Sequence, residues 1–152
     1  MRSVVPIAAF VALGLTAVPV RASSLNNNLP DQQTIDALEA KASQAQPRDQ
    51  CFLYAELVHQ MTELSIRQYA AGDISKATGL LKRIQQLTQK IHFSLADNDK
   101  RLKNTEILLN HTVFRLNDLL HNSNIDDRPL VQQTITQVTQ AQSEALMQVF
   151  QK

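Results

Sequence analysis

Apolar residues recur every three or four positions through four long stretches of this sequence. Turned about 100° per residue, the apolar residues of a stretch fall on one side, which is typical of a helix that buries one face. The clearest stripe lies within residues 77–95 and comprises Ala77, Leu80, Leu81, Ile84, Leu87, Ile91 and Leu95. This spacing predicts an all-α protein.

Proline and glycine mark where the predicted helices begin and end. Pro30, Pro47 and Pro129 each stand just before a periodic stretch, where a missing backbone N–H costs little. Gly72 follows the end of a stretch, as a C-cap glycine would, whereas Gly79 lies inside the next one. We therefore predict helices over residues 31–46, 48–71, 74–96, 100–122 and 128–151.

The links between these helices are short, which favours antiparallel neighbours. We expect an up-down-up-down antiparallel helix bundle of four long helices, plus a shorter N-terminal helix. Asp73, Asp99 and Asp127 occupy positions where their side chains would accept the first backbone donors of a helix. Each of the last three helices is therefore expected to begin with an aspartate cap.

The second helix differs from the others because it is apolar on two sides. Tyr54, Leu57 and Met61 belong to one stripe, and Phe52 and Ala55 belong to another. A helix with two apolar sides needs two packing partners. We expect the short first helix to cover its second side.

A charge-free apolar run of 17 residues, 4–20, follows Arg2 at the start of the chain. A basic residue before a short apolar run is the pattern of a secretory signal peptide. A membrane anchor is the alternative, but a spanning helix needs about 20 residues, and two prolines interrupt this run. We expect cleavage after Ala22, so that residues 1–22 form the signal peptide.

After export, the chain would consist of a polar linker over residues 23–30 and a helical domain over residues 31–152. Its location would be periplasmic or extracellular, with no membrane span in the mature chain. Without Arg2 and Arg21 it carries 13 Lys and Arg against 14 Asp and Glu. This near-neutral balance gives no sign of a nucleic-acid partner, so we expect a protein or another extracellular component as partner.

Cys51 is the single cysteine of the chain, so no internal disulfide can form. A domain of this size can bury a core without such a staple. The free thiol of Cys51 is either buried and inert, or reactive because it lies in the opening turns of a helix, where the dipole favours the thiolate.

Two carboxylate and histidine pairs stand three residues apart, Glu56 with His59 and Asp118 with His121. Pairs at this spacing project from one helical turn and bind metal in di-iron four-helix bundles. The third helix, however, has no acidic residue between its ends, and Asp118 falls about 180° from the apolar stripe of its helix. These four residues are candidate metal ligands, and charged groups on solvated faces are the other interpretation.

Lys100, Arg101 and Lys103 crowd the predicted start of the fourth helix, where the helix dipole disfavours positive charge. A bound anion or an acidic partner would offset this charge. Nearby carboxylates offer the same relief locally. The three basic residues are therefore candidates for binding an anion or a partner.

No reaction can be assigned from these motifs. No serine lies in a Gly-x-Ser-x-Gly nucleophile elbow, and the histidine spacings match neither a zinc finger nor a metalloprotease. Short links also leave little loop for a catalytic site. We expect an exported, non-catalytic binding or interaction protein without a cofactor, with a metal-binding or redox four-helix bundle as the alternative.

Overall fold

The computed structural model describes residues 30–97 and 101–151. Within them the chain forms five α-helices and no β-strand, which confirms the all-α prediction. The helices are α1 (Gln32–Gln44), α2 (Pro47–Ala70), α3 (Ile74–Ser94), α4 (Leu102–Asn122) and α5 (Arg128–Phe150), with a short 3-10 turn at Leu95–Asp97 after α3. The predicted signal peptide, 1–22, and linker residues 23–29 lie outside the described residues.

The helix ends follow the local rules of proline and glycine. Pro47 and Pro129 lie in the first turns of α2 and α5. Gly72 has a φ of 84° and follows the end of α2, as predicted for a C-cap glycine. Its backbone N–H donates to the carbonyl of Tyr69 at 3.1 Å. The left-handed conformation is one that side chains disfavour, so glycine is required here.

The aspartate caps differ from the prediction. Asp31 caps α1, because its carboxylate accepts the N–H of Thr34 at 2.7 Å. Asp73 and Asp127 occupy the N-cap positions of α3 and α5, but neither side chain caps its helix. Their predicted role is therefore wrong, and Asp99 lies outside the described residues.

The carboxylate of Asp127 is used in a tertiary contact instead. It accepts a hydrogen bond of 2.9 Å from the hydroxyl of Tyr69, near the end of α2. The Tyr69 oxygen in turn accepts the backbone N–H of Asn124 at 2.6 Å. Burial is the main reason that the pKa of Tyr69 lies above its ordinary value. This partly buried hydroxyl ties α2 to the turn between α4 and α5.

The predicted apolar stripes form the core. All seven residues of the α3 stripe are buried, and Ile84 at its centre is fully buried, whereas Gln86 is exposed. On α4 and α5 the buried positions also follow helical spacing. The choice of buried face from periodicity is therefore confirmed for these helices.

Helix α2 packs against α1, α3 and α4, in agreement with its two apolar sides. Helix α1 contributes Ile35 and Ala42 to the core. It is also tied to α3, because Glu39 forms an ion pair with Arg83. The second side of α2 faces α4 instead, because Ile66 and Tyr69 line a pocket with side chains of α4. The expectation that α1 covers this side is therefore wrong.

Hydrogen bonds between the helices define their relative directions. The antiparallel pairs are α2 with α3, where Ser65 donates to the carbonyl of Ala77, and α4 with α5, where Gln142 donates to Glu106. Helices α2 and α4 run parallel, because the contacts of His59 with Thr112 and of Glu63 with Arg115 advance in the same direction along both helices. Helices α3 and α5 are parallel for the same reason, with contacts of Gln85 with Thr134 and of His92 with Glu144.

Helices α3 and α4 follow each other in the chain but make at most marginal contact within the described residues. The expectation that consecutive long helices are packed neighbours therefore fails at this one connection. The α2–α3 pair and the α4–α5 pair lie side by side with α2 parallel to α4, so α4 packs against α2 rather than against α3.

None of the helices in the described residues combines the length and hydropathy that a bilayer crossing requires.

Candidate functional site

The candidate metal ligands fall along the seam where α2 and α4 pack. His59 is half-buried there, with its Nδ1 atom 3.1 Å from the hydroxyl of Thr112 on α4. Asp118 accepts a hydrogen bond from Arg115, and His121 contacts the carbonyl of Asn117 in its own helix at 2.7 Å. The two predicted pairs therefore belong to neighbouring helices, but His59, Asp118 and His121 have other partners, and Glu56 is half-buried on α2.

No three histidine, cysteine, aspartate or glutamate side chains of the described residues converge in a way that would hold a metal ion. At the seam a cation is already present in the form of the Arg115 guanidinium. It stands between the carboxylates of Glu63 and Asp118. The guanidinium of Arg115 thus balances the negative charge of these two carboxylates.

Arg115 is the centre of this ion-pair network. Its Nε and Nη2 atoms donate to the two carboxylate oxygens of Glu63 at 2.6 and 3.0 Å, and Nη1 donates to Asp118 at 3.0 Å. The hydrogen bond to Glu63 is the main reason that the pKa of Arg115 lies above its ordinary value. A bidentate pair of this kind fixes the register of α2 against α4.

The hydroxyl of Thr112 determines the tautomer of His59. Thr112 Oγ1 lies 2.8 Å from the carbonyl oxygen of Leu108, which can only accept, so the hydroxyl hydrogen points there. The Nδ1 atom of His59 must then carry a hydrogen and donate it to Thr112. In the neutral ring this leaves Nε2 as a hydrogen-bond acceptor.

Burial also lowers the pKa of His59 below its ordinary value. The negative charge of Glu63 opposes this shift, while His111 and Arg115 add to it. His59 therefore favours its neutral form in the folded protein.

A shallow pocket opens at the surface of this seam. Its lining residues are polar by type except for Phe114, but most of the surface that they expose in the pocket is apolar. It is lined by His59, Glu63, Asn110, His111, Phe114 and Arg115. The pocket lies beside α2, the helix with two apolar sides.

Helix α4 also exposes two large apolar side chains on the side that faces away from the core. Phe114 is 67% exposed and Ile107 is 43% exposed. Lys103 and Asp118 lie at the two ends of the same face, and the side chain of Asp118 is 41% exposed. We call Lys103, Ile107, Phe114 and Asp118 the outer stripe of α4.

Within the described residues, the candidate anion-binding residues do not form a cluster. The guanidinium of Arg101 lies over the ring of Phe52, 4.0 Å from its centre, in a cation–π contact. Lys103 is exposed, and Lys100 lies outside the described residues. The structure thus gives Arg101 an aromatic partner and places Lys103 on the outer stripe.

Cys51 is fully buried in α2, with its sulfur 4.0 Å from the carbonyl oxygen of Ile91 on α3. The thiol of Cys51 therefore lies in the core, as the first of its two interpretations has it. Cys51 lies on the side of α2 that packs against α3, about two turns of helix before His59.

A second groove runs between the parallel helices α3 and α5. The His92 ring is hydrogen-bonded through Nδ1 to the carboxylate of Glu144 across it, and Phe93 at its edge is 77% exposed. Gln85 also donates to Thr134 at 2.9 Å, close to the groove. These contacts bridge the two helices in the way that Arg115 bridges α2 and α4.

Arg115, Glu63, Ile107 and Phe114 were not predicted as functional residues. Two sequence signals could have found part of this set. Arg115 stands three residues before Asp118, which is the spacing of an ion pair within a helix. Ile107 and Phe114 stand seven residues apart, on the side opposite the buried stripe.

Comparisons of this chain with protein-family models, with curated proteins and with solved structures find no match.

Proposed function

We propose that this chain is an exported, non-catalytic binding protein whose four long helices form a bundle that presents the outer stripe of α4 to a partner protein. The observation that carries the proposal is the pair of exposed apolar side chains, Ile107 and Phe114, on the outward face of a helix. Exposed aromatic residues beside polar groups are typical of protein contact surfaces.

The bundle is supported by four packed helix pairs, in which α2 and α5 each contact both α3 and α4. Such a closed arrangement places the core between the helices and leaves their outer faces for recognition. Helix α4 is well suited to this task, because the Glu63–Arg115 pair anchors it to α2 while its outer stripe stays accessible.

A binding role fits the chemistry of the seam better than catalysis does. The charged groups there satisfy one another, with Arg115 bound to both Glu63 and Asp118. A general acid or base would need its reactive atoms directed at a substrate. The ion pairs instead hold two helices in register.

The proposed export rests on the basic and apolar pattern of residues 1–22. It places the mature protein in the periplasm or outside the cell, beginning at Ser23. Intact-mass measurement of the secreted protein tests this proposal. A mass that still includes residues 1–22, recovered with membranes, would contradict it.

The binding surface is tested by placing a photo-cross-linking residue, benzoylphenylalanine, at position 114. Position 93 on α3 is the matched control, because Phe93 is a phenylalanine outside the outer stripe that is at least as exposed as Phe114. Irradiation of the exported protein in its native setting should give a discrete cross-linked product from position 114 and none from position 93. The absence of a product at 114, or equal products at both positions, would contradict the proposal.

A further inference from the structure

The outer stripe of α4 has a regular order of charge and apolar character. Along the helix it reads Lys103, Ile107, Phe114 and Asp118. Turned about 100° per residue, these four side chains fall within an arc of about 60° centred opposite the buried stripe. They therefore form one narrow line of contact groups on the surface.

The stripe is symmetric about a point level with the boundary between Asn110 and His111. Ile107 and Phe114 lie about 5 Å to either side of this point along the helix axis, and Lys103 and Asp118 lie about 11 Å to either side. A twofold rotation about an axis through this point superposes the apolar positions on each other. It also exchanges the cationic end of the stripe with the anionic end.

We propose that the partner of this surface is a second copy of the same chain, with the two α4 helices antiparallel about a twofold axis at residues 110 and 111. Each Ile107 then lies level with Phe114 of the other copy, and each Lys103 lies level with Asp118 of the other copy. The proposal rests on the proposed function, because it uses the same face of α4.

Charge selects the antiparallel arrangement. A parallel pair would place Lys103 against Lys103 and Asp118 against Asp118, whereas the antiparallel pair forms two interchain ion pairs of opposite charge. Asp118 is available for this contact, since its side chain is 41% exposed although it binds Arg115. A carboxylate has enough lone pairs to accept from both cations.

The expected dimer is weak. A contact formed by one exposed helix face buries less than the roughly 1,200 Å² of total surface that stable complexes begin to require. The self-pairing should therefore depend on concentration, with a dissociation constant in the micromolar range or weaker. Exclusion of the Phe114 ring from water supplies the main attraction, and the two ion pairs set the register.

Sedimentation velocity of the mature protein over a wide concentration range tests the self-pairing. The wild-type chain should sediment as a monomer at low concentration and as a dimer at high concentration. Phe114→Arg should abolish the dimer, whereas Phe93→Arg, which changes an exposed phenylalanine on α3, should leave it intact. A monomer at every concentration, or equal behaviour of both variants, would overturn the proposal.

A charge swap tests the register. Lys103→Glu and Asp118→Lys should each weaken the dimer by about tenfold, because each places like charges opposite one another. The double variant restores opposite charges in both pairs and should recover wild-type affinity. Circular dichroism confirms that each variant is folded. A double variant no tighter than the single ones would overturn this pairing.

A cysteine at the proposed axis gives an independent readout, because Cys51 is buried and does not compete. Asn110→Cys should form a symmetric disulfide between two chains under mild oxidation. Gln133→Cys, on the exposed side of α5, should not. Cross-linking at both positions to the same extent would contradict the axis.

The photo-cross-linked product at position 114 separates this inference from the proposed function. A product of twice the chain mass supports self-pairing. A product of another mass, together with a monomer in sedimentation, would retain α4 as the binding surface but overturn the second copy as its partner. No product and no dimer would overturn both.

Discussion

Arg115 on α4 binds the carboxylate of Glu63 on α2 through two hydrogen bonds of 2.6 and 3.0 Å. The two side chains come from helices that are not consecutive in the chain. The pair is partly shielded from water, with Arg115 37% and Glu63 24% exposed. Its geometry therefore makes it the ion pair with the clearest expected effect on stability.

Glu63→Gln and Arg115→Gln, combined in a double-mutant cycle, should show a coupling energy of about 1 kcal/mol that falls as salt is added. Urea unfolding at two salt concentrations measures it. The pair of Lys76 with Asp73 is the control, because both side chains are more than half exposed, and its coupling should be close to zero. Additive effects at Glu63 and Arg115 would show that the bidentate pair contributes nothing.

Protonation of His59 should destabilise the fold. Because the folded pKa of His59 lies below its unfolded value, the unfolded chain binds more protons between the two values. The contribution to stability is then fully present above the unfolded pKa of about 6.5 and is lost as the pH falls towards the folded pKa. Urea unfolding at pH 7.5 and pH 5.5 should show a larger loss for the wild-type chain than for His59→Gln.

The hydrogen bond to Thr112 makes a separate prediction for the same ring. Nitrogen chemical shifts of His59 at neutral pH should show a hydrogen on Nδ1 and none on Nε2. Thr112→Val removes the acceptor and should shift the ring towards the other tautomer. A ring that carries its hydrogen on Nε2 in the wild-type protein would contradict the assignment.

Truncation at the centre of the α3 stripe should leave a cavity. Ile84 is fully buried, so Ile84→Ala is expected to lower the free energy of unfolding by about 2 to 5 kcal/mol. Gln86 is exposed on the same helix, and Gln86→Ala should stay within about 0.5 kcal/mol. Denaturant unfolding compares the two directly, and equal effects would mean that the buried face is wrongly assigned.

The two glycines of the described residues should respond to alanine in opposite directions. Gly79 lies inside α3, where a new Cβ would meet no atom within 4 Å, so Gly79→Ala should stabilise by about 0.5 to 1 kcal/mol. Gly72 has a φ of 84°, so Gly72→Ala should destabilise by about 1 to 2 kcal/mol. Thermal unfolding of both variants checks the signs, and two shifts in the same direction would refute the argument.

Local chemistry explains why much of the helical structure was predictable. Proline and glycine act through the backbone of their own segment, which is why Pro47, Pro129 and Gly72 mark helix ends correctly. The aspartates were less informative. Asp127 reaches the N-cap position as predicted, but a tertiary partner, the hydroxyl of Tyr69, takes its carboxylate.

The candidate site was only partly predictable. His59 and Asp118 were selected from spacing within single helices, and both lie at the α2–α4 seam. Their actual partners, Thr112 and Arg115, depend on which helices are neighbours. Spacing along one helix contains no information about the side chain that lies opposite.

The sequence by itself determined the helices and their buried faces, because apolar periodicity such as that around Ile84 is a property of each segment alone. The tertiary structure decided that α4 packs beside α2 rather than beside α3. Several pairings of amphipathic helices bury a similar apolar area, and the choice among them depends on the fit of whole surfaces. That choice brings Glu63 to Arg115 and leaves Ile107 and Phe114 exposed on the outer stripe.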